Sequence, residues 1–323
     1  AARVKGEPIP LPTETGNTVE ISLTSFDLTD NTAFEFQLPG TPYERDTTDY
    51  CAHCHVTINE DWYGSQHRTA ASNPHVQDLY AGVATMISSK MMCESIDGNW
   101  WYGLVPGESI TGPRCYIGDG FLPAMNTDCG VTEPCDEVAT DVGICADCHA
   151  PGINGEVGGR GLLEATGNAY ESGVFCDVCH SVESVDLTNP NPGVGGRLSI
   201  VRPSEPSSSP LLGEWEPLTF GPLYDVANPF MGAVQRDHYH NGELCAGCHQ
   251  YEQPVTLPGA SIDLARWPTG KLPIQSTFEE WQESPLGISN TPCQACHMPP
   301  NAKAGNASDL YNVFMDLEPG ISA

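Results

Sequence analysis

Hydrophobic and polar residues alternate in two short segments near the start of the chain. Val19–Leu23 and Phe34–Leu38 both place an apolar residue at every second position. Because successive side chains of a strand point to opposite faces, this period of two predicts two half-buried strands. The polar residues from Asp27 to Asn31 predict the turn between them. We therefore expect a small β element in residues 1–50, which either folds back on its own chain or adds a strand to a neighbour.

Helical patterns follow, but they are short and often interrupted. Residues 57–71 and 75–92 predict two helices, broken at Asn73-Pro74 because proline cannot continue a helix. A third, shorter helix is predicted near Leu162–Tyr170. Since the 323 residues include 33 Gly and 28 Pro, the sequence predicts a mostly irregular, loop-rich fold with short α-helices.

The chain contains five copies of the pattern Cys-x-x-Cys-His, starting at residues 51, 145, 176, 245 and 293. In this pattern two thiols form thioethers with a haem, and the adjoining His becomes the proximal iron ligand. A single copy would leave a zinc half-site or a redox dithiol open, whereas five copies favour haem. We predict five covalently attached haem c groups. The attachment residues are Cys51, Cys54, Cys145, Cys148, Cys176, Cys179, Cys245, Cys248, Cys293 and Cys296, and the proximal ligands are His55, His149, His180, His249 and His297.

The histidines outside these positions match the number of expected irons. Ten His are present and five are proximal ligands, so five remain as distal ligands: His53, His67, His75, His238 and His240. We predict bis-His ligation at every iron, with water or one of seven Met as the alternative sixth ligand. His53 lies between two attachment cysteines and must serve a different haem, in this chain or in the next subunit. His238 and His240 are two apart, so an extended segment would point them at different haems. His67 and His75, eight apart, would share a helix face.

The four remaining cysteines, Cys93, Cys115, Cys129 and Cys135, fall within one stretch of the sequence. They predict two disulfides that pin an insert at residues 93–135, with a small metal site as the alternative. Haem attachment and disulfides both indicate an exported protein. The chain begins with Ala1-Ala2, which fits a mature chain after signal cleavage, and it has no Cys there for a lipid anchor.

Charge and hydropathy restrict the partners. Asp and Glu total 42 against 13 Lys and Arg, a formal net charge of −29. Such a charge argues against nucleic acid and anionic membrane surfaces as partners and fits either simple solubility or life in salty water. No apolar run is long enough for membrane insertion.

The chain therefore divides into an N-terminal β element at 1–50 and a five-haem domain at 51–323, in which short helices and loops surround a chain of haems. The second and third motifs start 31 residues apart, and we expect their haems to stack as a pair.

Three segments beside the motifs carry further patterns: Trp62, Ser65 and His67 with Asn73-Pro74; Phe220-Gly221-Pro222-Leu223 with Glu243-Leu244; and Trp281 with Ser284 and Met298-Pro299. They resemble the multihaem c-type cytochrome superfamily. That group includes the tetrahaem cytochrome of nitrifiers, the octahaem enzymes of nitrogen and sulfur compounds, and subunits of extracellular cytochrome nanowires. The resemblance implies that His67 is a distal haem ligand. This chain departs from the octahaem enzymes in having five motifs, and it lacks the Cys-x-x-Cys-Lys site of related nitrite reductases.

Two functions remain open at this level. The matched His count favours electron transfer without catalysis, to other redox proteins or extracellular acceptors. A special case is a homo-oligomer or conductive filament, suggested by the position of His53. The alternative is an enzyme that acts on a small inorganic nitrogen or sulfur compound at a haem with an open iron position. The expected location is extracellular or at the cell surface, with the periplasm as the alternative.

Overall fold

The computed structural model describes residues 2–3, 24–44, 47–80, 94, 98–104, 111–117, 144–208, 213–223, 231–254 and 262–299. Loops dominate this part of the chain, and every helix in it has eight residues or fewer. The helices are α1 (Val56–Tyr63), α2 (Pro74–Tyr80), α3 (Cys145–His149), α4 (Gly167–Ser172), α5 (Cys176–His180), α6 (Glu243–Ala246), α7 (Thr277–Glu283), α8 (Pro285–Ile288) and α9 (Gln294–His297). Short 3-10 turns occupy Cys51–His53, Leu162–Glu164 and Asp237–His240. None of these helices is long and apolar enough to cross a bilayer.

The described strands form five separate two-stranded sheets. Four pairs are antiparallel: β1 (Ala2–Arg3) with β2 (Thr24–Ser25), β3 (Gly98–Leu104) with β4 (Thr111–Ile117), β5 (Val182–Val185) with β6 (Leu198–Ile200), and β9 (Tyr251–Pro254) with β10 (Lys271–Gln275). One pair, β7 (Thr219–Gly221) with β8 (Ala233–Gln235), is parallel. Because two-stranded sheets are marginal alone, packing must hold them in place. The prediction of a loop-rich fold with short helices and a small N-terminal β element is confirmed.

The N-terminal segment differs from its prediction in detail. Residues 34–38 form no strand; Leu38 makes only a single bridge, to Tyr50. The reason is tertiary packing: Phe36 is buried edge-on against Phe175, with ring centroids 5.9 Å apart, and the Gln37 N–H donates to Asp177 at 2.7 Å. The described part of the segment thus folds back on its own chain. The other predicted strand, 19–23, lies outside the described residues.

The predicted helices are shorter than their sequence patterns. Helix α1 ends at Tyr63, where Gly64 follows, and turns rather than helix continue through residue 72. Helix α2 begins at Pro74, as the Asn-Pro break predicts, and the Asn73 side chain accepts a hydrogen bond from the His75 N–H at 2.9 Å. The pattern near residue 162 divides into a 3-10 turn and α4. Residues 81–92 lie outside the described part of the chain.

Within the predicted insert, β3 and β4 form a hairpin that pairs Trp100 with Cys115. Cys93, Cys129 and Cys135 lie outside the described residues, so the two disulfides stay a prediction.

The described residues contain three small apolar clusters. One surrounds Phe175 and Val178, the second contains Ala146, Ala150 and Leu162, and the third centres on Phe220. Two of the clusters contain motif residues, and the third supplies the Phe220 carbonyl that binds a motif histidine. The packing of this protein is therefore organised around the Cys-x-x-Cys-His turns.

Two ion pairs contain a buried arginine. Arg160 binds Asp147 at 3.0 Å, and both side chains are almost fully buried. Arg202 has no exposed side-chain surface and donates through Nε to Asp30 at 2.8 Å. The second pair ties the N-terminal segment to the motif-bearing body, with the Asn31 side chain adding a bond to the Pro203 carbonyl at 2.8 Å.

We predict that Asp30→Ala lowers the free energy of unfolding by about 3 kcal/mol, because it leaves the buried Arg202 charge without its partner. The matched control is Glu183→Ala, which breaks the Arg236–Glu183 pair, where both side chains keep roughly a quarter of their surface exposed. That change should cost about 0–1 kcal/mol. Denaturant unfolding of the matured protein measures both, and equal losses would contradict the prediction.

Candidate haem-attachment sites

Each of the five motifs forms a single helical turn. The His N–H donates to the carbonyl of the first Cys in three of them, at 2.9 Å in the first, 2.8 Å in the fourth and 3.0 Å in the fifth. The second and third are the complete short helices α3 and α5. Positions i, i+3 and i+4 of a turn lie on one side, so both thiols and the imidazole face the same way.

The opposite side of the turn faces the protein. Ala52, Ala146 and Ala246 follow the first Cys of their motifs and have no exposed surface, and Val178 in the third motif is 2% exposed. Gly247 in the fourth motif leaves no room for a side chain, since an added Cβ would lie 2.3 Å from Leu198. These small residues anchor the turns and so fix the direction in which the cysteines and histidines project.

Two motif histidines are held in the protonation form that leaves Nε2 able to bind a metal. The Nδ1 atom of His149 lies 3.1 Å from the Ala70 carbonyl, and that of His180 lies 2.7 Å from the Phe220 carbonyl. A carbonyl only accepts, so Nδ1 must carry the proton and Nε2 keeps its lone pair. Burial also lowers the pKa of both rings, which favours the neutral form. This outer bond is the usual way in which proteins orient a metal-ligating imidazole.

Most of the motif cysteines lie partly beneath the surface. Nine of the ten are half-buried and Cys296 is exposed. Burial raises the pKa of Cys145 and Cys179 to about 12 and lowers that of His249. Two thiols and an imidazole on one side of a turn fit a haem, whereas no group of three or more metal-binding side chains converges in the described residues as a zinc site would require.

Thiols of different motifs lie close to one another and so indicate which motifs are neighbours. Cys51 of the first motif and Cys176 of the third lie within hydrogen-bonding reach of each other, and so do Cys148 of the second and Cys248 of the fourth. Cys245 of the fourth motif is likewise near Cys293 of the fifth. These contacts pair the first motif with the third and the second with the fourth. The stacking of the second and third haems, expected from the short separation of their motifs in sequence, stays a prediction.

The third motif connects these pairs. Cys179 lies close enough to Cys245 and Cys248 for their charges to raise its pKa, although burial is the larger cause. The fourth motif thus has the second, third and fifth motifs as neighbours, and the first is reached through the third.

His67 faces the proximal histidine of the fourth motif. The ring centroids of His67 and His249 lie 6.1 Å apart. This separation is close to the roughly 6 Å expected if both imidazoles bound one metal ion, each through a bond of about 2 Å. His67 is exposed, yet partial burial of its ring is the main cause that lowers its pKa. His67 and His249 would therefore be able to hold one iron together.

The other predicted distal residues occupy different surroundings. His53 is half-buried in the turn of the first motif, and His75 is exposed at the start of α2. The Nε2 atom of the buried His238 lies 3.2 Å from the Val182 carbonyl, and that of the exposed His240 lies 2.6 Å from the Pro222 carbonyl. In both rings the carbonyl requires the proton on Nε2. As placed, these two histidines would offer an iron Nδ1 rather than Nε2.

Sequence reasoning missed three side chains that support the motifs. Asp147 binds Arg160 and also accepts from the Gly159 N–H at 2.6 Å, which wraps the glycine-rich segment around the second motif. Burial raises the pKa of Asp177 to about 6. Tyr239 lies parallel to the His180 ring, with centroids 6.0 Å apart, and donates to the Cys179 carbonyl at 2.6 Å. In the sequence, the only sign of these supporting roles was that two of the motifs contain an Asp, namely Asp147 and Asp177.

Comparison with known proteins gives little detail. No protein-family model matches the chain, and no curated protein sequence is significantly similar to it. Among solved structures, a penta-heme cytochrome c552 from Thermochromatium tepidum aligns with 82% of this chain at 18% identity and a TM-score of 0.38. The alignment spans 56% of the length of that protein, so this chain matches only about half of it.

We predict that His67→Ala converts one haem of five from low spin to high spin and raises its potential, because an imidazole donor is lost. Optical spectra, carbon monoxide binding to the reduced protein and a redox titration measure the change. Gln66→Ala, at the exposed neighbouring position, serves as the control and should leave all three unchanged. An unaltered spectrum and titration in the His67 variant would rule out its role as a ligand.

Proposed function

We propose that the chain is a five-haem c-type cytochrome that transfers electrons through a connected series of bis-His haems. The ten cysteines hold the haems, and His55, His149, His180, His249 and His297 bind the irons from one side. When bound, haem supplies an iron that changes oxidation state reversibly. The protein contributes the direction of each motif, the protonation form of each imidazole and the exclusion of bulk water.

The observation that carries this proposal is the set of thiol contacts between motifs. They link the first motif to the third and the fourth to the second and fifth, while Cys179 links the third to the fourth. Haems attached at adjoining thiols lie next to one another. A cofactor series without gaps supports electron transfer through the molecule, whereas an enzyme needs one accessible reactive haem.

Six-coordinate irons are the second element of the proposal. The His67–His249 spacing supports bis-His ligation at the fourth motif. We extend the same ligation to the remaining motifs through His53, His75, His238 and His240. An iron with two imidazole ligands has no free position for a substrate, so its only reaction is a change of oxidation state.

The second candidate is an oxidoreductase for a small inorganic nitrogen or sulfur compound. One observation favours it: the Nε2 atoms of His238 and His240 are both bonded to backbone carbonyls. If either ring stays off the iron, one haem keeps an open position where such a compound can bind. Carbon monoxide binding to the reduced native protein separates the two candidates, because only an open or weakly ligated iron binds it.

We also propose an extracellular or cell-surface location, with the periplasm as the alternative, and assembly into a conductive filament. The half-buried His53, held beside its own haem's attachment site, supports ligation of an iron in a neighbouring subunit. A contact of this kind that does not close on itself generates an open fibre. The net charge of −29 opposes assembly at low salt.

We predict five haem masses per chain in the matured protein, because all five motifs form the turn that presents two thiols and a histidine together. Intact-protein mass spectrometry measures the count. As a control, Cys293→Ser with Cys296→Ser should remove one haem mass. A native count of four or fewer would show that one turn is not an attachment site.

We predict that His53→Ala either leaves one haem high-spin or abolishes assembly into filaments. Electron microscopy and size-exclusion chromatography at high protein concentration and high salt measure assembly, and optical spectra measure spin state. His75→Ala is the comparison, since it should alter a haem within the chain without affecting assembly. Native protein that stays monodisperse and fully six-coordinate under these conditions would exclude the filament.

A further inference from the structure

We propose that one turn, at residues 67–70, positions the ligands of two haems at once, and that Gly173 sets this turn in place. The turn begins at His67, the distal ligand proposed for the fourth motif. It ends at Ala70, whose carbonyl orients the histidine of the second motif. This inference rests on the proposed function, since it assumes a haem at each of these motifs. It adds Gly173 as a positioning residue that acts on both haems.

The two ends of the turn reach different motifs. At one end, the centroid of the His67 ring lies 6.1 Å from that of His249 in the fourth motif. At the other end, the Ala70 carbonyl lies 3.1 Å from Nδ1 of His149 in the second motif. The Ala70 N–H donates to the His67 carbonyl at 3.2 Å, which ties the two ends to each other. A displacement of the turn therefore changes the surroundings of both motif histidines.

Packing fixes the far end of the turn against the second motif. Ala71, the next residue, has no exposed surface and belongs to the apolar cluster that contains Ala146 of the motif and Ala150 just after it. The second and fourth motifs are also neighbours, since Cys148 and Cys248 lie within hydrogen-bonding reach. The turn is thus placed where it can serve both motifs.

Gly173 is in direct contact with the backbone of the turn. Its φ of 52° and ψ of −113° suit glycine and strain any other residue. A Cβ at this position would lie 2.5 Å from the His67 carbonyl oxygen and 3.0 Å from both the Arg68 carbonyl oxygen and the Ala70 nitrogen. All three are backbone atoms, so no flexible side chain can move aside. A side chain at residue 173 would have to displace the turn itself.

The residue after Gly173 binds the turn from two directions. The Val174 N–H donates to the His67 carbonyl at 2.9 Å, and the Val174 carbonyl accepts from the Trp62 indole N–H at 2.8 Å. These bonds hold the start of the turn, and so the backbone that carries the His67 ring. Ligand geometry depends on such outer bonds, because they fix how an imidazole approaches its metal.

Gly173→Ala tests the proposal, and Gly167→Ala is its matched control. The two glycines lie at opposite ends of the same short helix, α4, and Gly167 has a φ of 51°. No described atom lies within 4 Å of a Cβ added to Gly167. The control therefore carries a similar positive-φ strain without the collision with the turn.

Electron paramagnetic resonance of the fully oxidised protein provides the readout. The signal of a low-spin ferric haem depends on the relative orientation of its two axial imidazoles, so it reports ligand geometry rather than stability. We expect Gly173→Ala to alter the signals of two haems, and Gly167→Ala to alter none. His67→Ala alters one haem if the ligation is correct. The double variant G173A/H67A should then alter the same two haems rather than three, because one haem is common to both changes.

Two further variants identify the second haem and protect the test against misfolding. In a chain that lacks the second haem, C145S/C148S, Gly173→Ala should alter one signal only. Trp62→Phe keeps an aromatic ring but removes the indole donor to Val174. It should alter the same two haems as Gly173→Ala, by less. If Gly173→Ala fails to mature, as judged by haem masses, Trp62→Phe decides the question.

Three results would overturn the inference: an unaltered spectrum in Gly173→Ala, a change at one haem only, or an equal effect of Gly167→Ala. Three altered haems in the double variant would also overturn it, because the haems disturbed through Gly173 would not include the one that His67 binds. An unaltered spectrum in His67→Ala would instead refute the bis-His ligation in the proposed function.

Discussion

One helical turn is the unit on which the rest of this molecule depends. A cysteine, a second cysteine three residues later and a histidine next to it project from one side of a turn only if the backbone is helical there. The residue after the first cysteine then points into the protein, and three of the five motifs place a fully buried alanine at that position. Five such turns set the directions in which five groups of cysteines and histidines project, and the loops connect these turns.

The small size of the apolar clusters follows from this arrangement. Nine of the ten motif cysteines are half-buried, so they occupy positions that apolar side chains fill in other proteins, and few positions remain for a conventional core. The buried ion pairs Arg160–Asp147 and Arg202–Asp30 lie in what remains. A charged pair is a poor substitute for apolar packing in free energy, but it specifies which segments meet. In a chain with so little regular structure, that specificity defines the paths of the loops.

Features that depend on the spacing of a few neighbouring residues could be predicted from the sequence. The five motifs, the helix start at Pro74 and the abundance of loops all have local causes. The strand predicted at residues 34–38 does not form because of a contact that is distant in sequence. Phe36 packs against Phe175, and this packing overrides the alternating pattern. The spatial neighbours of each motif also depend on the path of the whole chain. The proximity of the first motif to the third and of the second to the fourth has no signal in the sequence. Among the five histidines predicted to be distal ligands, only His67 lies in a sequence pattern, with Trp62 and Ser65, whose resemblance to a known family implies that role.

The hydrogen bonds that orient the proximal histidines connect parts of the chain that are made at different times. His180 relies on the carbonyl of Phe220, 40 residues later, while His149 relies on Ala70, 79 residues earlier. During synthesis from the amino end, the imidazole of the third motif arrives before the carbonyl that orients it, whereas the second motif finds its carbonyl already present. The motifs therefore cannot all reach their final hydrogen-bonded geometry in the order in which they are synthesised.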